Sequence, residues 1–152
     1  MRNISQKQHL NFLKIHNHDP FSRKYMAGIG HFDFGANLRP VNFNGWLIAT
    51  DSKDATKLSF WVEYWVATYS HLSKQQGEQV RLVFYETLCE KPKQVLERLV
   101  SFLEIEAKDK FIKQYSRISL AKPHPVDNSE VDGELSDKAY ALYEEMQTAS
   151  LA

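Results

Sequence analysis

The chain has 152 residues, 43% hydrophobic and 12% aromatic, enough apolar material to build the core of one domain. Its 19 basic and 19 acidic side chains cancel, so it lacks the concentrated positive field that nucleic acid or an anionic membrane surface would require. The lone cysteine, Cys89, cannot close an internal disulfide and points to a reducing cytoplasm, while no apolar run approaches the roughly 20 residues that span a bilayer and the first residues lack the apolar centre of a signal peptide.

Taken in chain order, residues 3–16 predict a short amphipathic helix with Leu10, Phe12 and Leu13 on its apolar side. Asp19-Pro20 reads as the cap and first position of a second helix ending near Gly28. Residues 31–45 read as a loop, and Phe32, Phe34, Phe43 and Trp46 make it an aromatic one. A loop of that length in a compact domain is usually functional or disordered, and the aromatics argue against disorder. Trp46 opens another helical stretch. Leu58, Trp61, Val62, Trp65, Tyr69 and Leu72 then recur at helical spacing, until Gly77 stops the run.

Val80, Leu82 and Phe84 alternate with Arg81 and Val83, which predicts a strand over residues 80–84. A turn carrying Tyr85 and Glu86 should follow, with Thr87 and Glu90 at capping-box spacing. From Pro92, the stripe Val95, Leu96, Leu99, Phe102 and Leu103 predicts a one-sided helix. Residues 107–115 suggest a further short helix. Residues 116–133 are polar, contain Pro123 and Pro125, and read as loop. Ser136 is placed to cap a last helix, with Leu135 and Tyr140 as its staple. The fold class is therefore mostly α with one or very few strands. A strand without a partner leaves backbone donors and acceptors unpaired, so residues 80–84 demand a second strand, from another copy of the chain, from a separate polypeptide or from a segment removed upstream.

Several of these residues carry a family resemblance. Trp61-Val62-Glu63-Tyr64-Trp65 on a long helix, the run 80–86 with Leu88, Pro92, and residues 96–103 together resemble the C-terminal half of bacterial-type sulfotransferases that use 3′-phosphoadenosine 5′-phosphosulfate. There a strand ends in Tyr-Glu-Asp-Leu and a Pro-led helix follows; here Thr87 stands in place of that Asp. The resemblance covers roughly residues 58–146. It implies the C-terminal portion of an α/β, parallel-sheet, P-loop-like fold, a nucleotide co-substrate, no metal, and a small-molecule hydroxyl or amine acceptor. The family's loop with Lys, Ser or Thr and glycines, which holds the phosphosulfate on backbone N–H groups, has no counterpart here. Its element for the 3′-phosphate has only His18-Asp19-Pro20 beside Ser22 as nearest match, with His18 where Arg stands. The expectation is therefore a single, incomplete domain over residues 1–152, inactive alone and working as a homodimer or with a complementing N-terminal half.

The resemblance also implies site residues. Tyr85 corresponds to a Tyr lying against the nucleotide base; its plain alternative is an aromatic closing a sheet edge. Arg117, Ser119 and Lys122 occupy the loop where the family places basic residues near the 3′-phosphate, and a solvated loop is the plain alternative. His31, Asp33, Phe34 and Arg39 fall where the family contacts its acceptor, in the aromatic loop, and a pocket there would suit an apolar or sugar-like ligand. The plain alternative is aromatics packing under a loop. His16, His18 and Asp19 fall short of a four-ligand structural zinc site. Trp61, Tyr64 and Trp65 read as core, and Cys89 as a small buried hydrophobe. A second reading of the whole chain is a non-enzymatic helical interaction module that dimerises by strand pairing.

Overall fold

The computed structural model describes residues 4–49, 53–119 and 129–150. The residues cluster into two compact units. The first comprises Met1–His71 and Pro125–Tyr140, the second Leu72–His124 and Ala141–Ala152.

In the first unit, α1 (Ile4–His18) is followed by α2 (Pro20–Gly28). The junction is as the sequence predicts: Asp19 has extended backbone, its Oδ1 accepts the Phe21 N–H at 3.0 Å, and Pro20 takes the first helical position. Residues 31–45 carry two short 3₁₀ turns, Gly35–Asn37 and Phe43–Gly45, and then α3 (Trp46–Ala49). The long helix α4 is Leu58–Ser73. Its fully buried residues are Leu58, Phe60, Val62 and Val66. Trp61, Trp65 and Tyr69, expected with the core stripe, are half-buried instead. The helix is apolar on nearly all sides, so spacing alone does not say which stripe is innermost.

The second unit holds α5 (Tyr85–Glu90), α6 (Pro92–Phe102), α7 (Lys108–Ile112) and the 3₁₀ turn Lys113–Arg117. Its core is Cys89, Val95, Leu96, Val100 and Met146. Pro92 opens α6 as expected, but Leu103 lies past the helix end and is 56% exposed, while Val100 takes its place inside.

The strand is a correction. Residues 80–84 form no ladder, and no strand occurs among the described residues. Phe84 is extended (φ −84°, ψ 128°), but the N–H groups of Arg81, Leu82, Val83 and Phe84 bond to no described backbone carbonyl. The alternating pattern is present and a partner strand is not. The turn expected at Tyr85 is instead the first turn of α5, so Thr87 and Glu90 lie inside a helix and form no capping box. The last helix, α8 (Gly133–Thr148), also starts earlier than predicted. Asp132, not Ser136, caps it, its Oδ1 accepting the Glu134 N–H at 2.9 Å. An Asp just outside the helix reaches the N–H two residues on with little rearrangement. Leu135 and Tyr140 are both helical and make no staple. Residues 133–140 of α8 belong to the first unit and the remainder to the second.

Candidate functional site

The first unit carries a cavity of about 450 Å³ between the loop of residues 32–40 and one side of α4. Phe32, Asp33, Phe34, Leu38, Arg39 and Pro40 form one wall. Leu58, Trp61, Val62, Tyr64, Trp65, Thr68 and Tyr69 form the other, and Ser5 of α1 closes an edge. About three turns of α4 supply the second wall, because residues three and four apart share a face.

The loop is held from several sides. Its ends meet where the Arg39 N–H bonds to the Phe32 carbonyl at 2.8 Å. At its tip, His9 and His16 of α1 accept the N–H groups of Gly35 and Ala36 at 3.1 and 3.2 Å. Asn37 Nδ2 donates to the Arg23 carbonyl at 2.8 Å, and the Val41 N–H to the Tyr64 hydroxyl at 3.2 Å. The aromatic rings interlock: Phe34 lies 5.7 Å from Trp61, and Phe12 lies 6.1 Å from Phe34 and 5.0 Å from His31. The Arg39 guanidinium sits over the Phe32 ring at 4.4 Å, a cation–π contact that fixes a charge at the cavity mouth.

Three of the four expected acceptor residues, Asp33, Phe34 and Arg39, meet in this cavity. His31 stands behind it, its ring against Phe12 and Phe34, and its buried Nδ1 has no hydrogen-bond partner among the described residues. Phe43 and Trp46 do not line the cavity. Trp46 stacks on Tyr64 at 5.2 Å and donates its Nε1–H to the Val41 carbonyl at 2.8 Å, and Phe43 lies 5.1 Å from His71. Sequence reasoning missed the α4 wall, taking Trp61, Tyr64 and Trp65 for core. The available signal was excess: α4 carries more large rings than one buried stripe accommodates.

The expected nucleotide residues fall in the second unit. Tyr85 is 62% exposed at the start of α5. Arg117 ends the 3₁₀ turn and is exposed, as is Ser119. Lys122 lies outside the described residues. Neither the aromatic cavity nor a more open cleft of about 650 Å³ beside α6 includes Tyr85, Arg117 or Ser119. Glu86 accepts the Tyr143 hydroxyl, and burial together with that carboxylate pushes the phenol above its ordinary pKa. Phe84 packs edge-on against the same ring at 5.1 Å.

His16, His18 and Asp19 serve separate ends. His16 is buried against the loop, His18 is exposed with its ring on the Lys14 carbonyl, and Asp19 caps α2. The Ser22 hydroxyl and N–H, with the Phe21 N–H, hold the Asp19 carboxyl below its ordinary pKa. Burial lowers the pKa of His9, and the Asp54 carboxylate opposes that shift. No helix among the described residues is long and apolar enough to cross a membrane.

A family model described as the sulfotransferase domain matches residues 44–132. The match takes in the α4 wall of the cavity and all of residues 80–119, while the loop wall lies before it. No curated protein and no solved structure matches the chain. Because that one model spans more than half of the sequence, the protein belongs to the sulfotransferase family.

Proposed function

We propose that the chain provides the acceptor-binding side of a sulfuryl transfer from 3′-phosphoadenosine 5′-phosphosulfate to a hydroxyl or amine. The observation that carries this reading is the aromatic cavity, with its α4 wall inside the sulfotransferase match and with Asp33 and Arg39 at its mouth. Flat rings on both sides suit an apolar or ring-shaped acceptor, and the two charged groups suit its polar end. Tyr85, Arg117, Ser119 and Lys122 contact the nucleotide in this reading. Sulfuryl transfer depends on positioning and on donors aimed at a moving anion. The sequence holds no glycine loop with Lys, Ser or Thr to supply those donors. Turnover therefore requires such a loop from outside residues 1–152. A calorimetric titration with adenosine 3′,5′-bisphosphate tests the nucleotide half. Saturable binding, weakened by Tyr85→Ala and Arg117→Ala, supports it. No heat at millimolar ligand removes the nucleotide from the isolated chain's repertoire.

A second reading rests on residues 80–84, whose N–H groups find no backbone partner among the described residues. In it the chain is an interaction module that dimerises by adding this segment to that of another copy. Light scattering after gel filtration decides: a dimer dissociated by Leu82→Pro fits strand exchange, and a monodisperse monomer excludes it.

A further inference from the structure

His9 and His16 lie two turns apart on one face of α1, and each is only 4% exposed. Both use Nδ1 to accept a backbone N–H from the same short turn, at Gly35 and Ala36. An imidazole nitrogen accepts only when it carries no proton, so each of these two bonds requires a ring whose proton sits on Nε2. The approach is close. Gly35 has φ +70°, and a Cβ there would stand 2.7 Å from His16 Nδ1 and 2.9 Å from the Phe12 Cβ. The turn so pinned joins Phe34 to Leu38 and Arg39, which form the loop wall of the cavity.

We infer that His9 and His16 are positioning residues for the cavity: as neutral acceptors they hold residues 34–37 against α1, and they release that wall when protonated. A protonated ring turns an N–H toward the N–H it formerly accepted, replacing attraction with repulsion at two adjacent peptides. Asp54 is the charged group acting on His9, and it favours the proton; burial against the Trp61 ring, 5.6 Å away, opposes it. His16 faces the Phe12 ring, with the titratable His31 on that ring's other contact. Asp33 and Arg39 on the loop, Arg23 on α2, and Lys7 and Lys14 on α1 are exposed. The His16 Nε2 has no partner among the described residues, so an added charge there meets no compensating acceptor. The inference concerns the wall itself and does not depend on sulfuryl transfer.

Amide hydrogen exchange on the full chain, read by NMR as protection relative to the unstructured rate, tests it. The Gly35 and Ala36 amides should lose at least about tenfold protection between about pH 7.5 and about pH 5, while amides inside α6 keep theirs. The double variant His9→Gln/His16→Gln, whose amide oxygens accept without titrating, should flatten that profile. A flat wild-type profile, or the same pH-dependent loss in the double variant, overturns the inference. If the double variant does not fold, the imidazole nitrogen spectrum of the wild-type chain at neutral pH decides: bare Nδ1 on both rings supports the inference, and bare Nε2 on either overturns it.

Discussion

Gly35 concentrates the demands of the cavity in one residue. Its positive φ suits glycine, and the space a methyl would need is taken by His16 and by the Cβ of Phe12. A Phe Cβ is fixed to its helix and cannot swing away. Gly35→Ala should therefore destabilise the first unit by about 2 kcal/mol, from left-handed backbone plus overlap, measured by urea unfolding followed through tryptophan emission. An unchanged midpoint would show that the turn relocates without cost. The sequence made Gly35 visible only as a glycine among aromatics. The partners of its turn, His9 and His16, stand 26 and 20 residues before the amides they accept and carry no local signal, because the bonds run from side chain to distant backbone.

At the scale of elements, α4 has two apolar sides with different duties. Phe60 is 2% exposed and packs on Trp46 and Trp61 at 5.6 and 5.2 Å. Trp65 is half-buried, lines the cavity and lies 4.7 Å from Tyr69. Phe60→Ala should cost about 4 kcal/mol. Trp65→Leu should cost about 1 kcal/mol or less while reducing ligand-induced quenching in the cavity, which Trp61 also lines; equal losses for the two variants would contradict the division. The helix itself was legible from its spacing, as were α2 from Asp19-Pro20 and α6 from Pro92. Which side of α4 faces the core was not, because periodicity ranks faces by apolarity and here both rank high. Residues 80–84 show the converse: alternation reports a strand's faces, whereas a ladder needs a partner that local pattern cannot supply.

At the scale of the molecule, the buried histidines His9 and His16 and the three tryptophans belong to the first unit, and Cys89 to the second. His9 has its pKa lowered by burial, so the unfolded chain binds that proton more readily than the folded one. Its contribution to stability is present above the ordinary imidazole range and is lost as pH falls through that range toward the lower folded value. In urea at mildly acidic pH, tryptophan emission should shift at a lower midpoint than the one at which Cys89 opens to a dipyridyl disulfide reagent, and the two midpoints should converge at neutral pH. Coincident midpoints at both pH values would refute this. Residues 79–85, Gln-Val-Arg-Leu-Val-Phe-Tyr, have one further consequence. They contain no proline or glycine and a single charge, and Val80 and Val83 are 41% and 38% exposed. That is the composition of a segment that stacks on its own copies into fibrils. The shelf life of concentrated stocks should therefore be governed by one charge: Val83→Lys should raise the concentration at which turbidity and thioflavin fluorescence appear, and Arg81→Val should lower it.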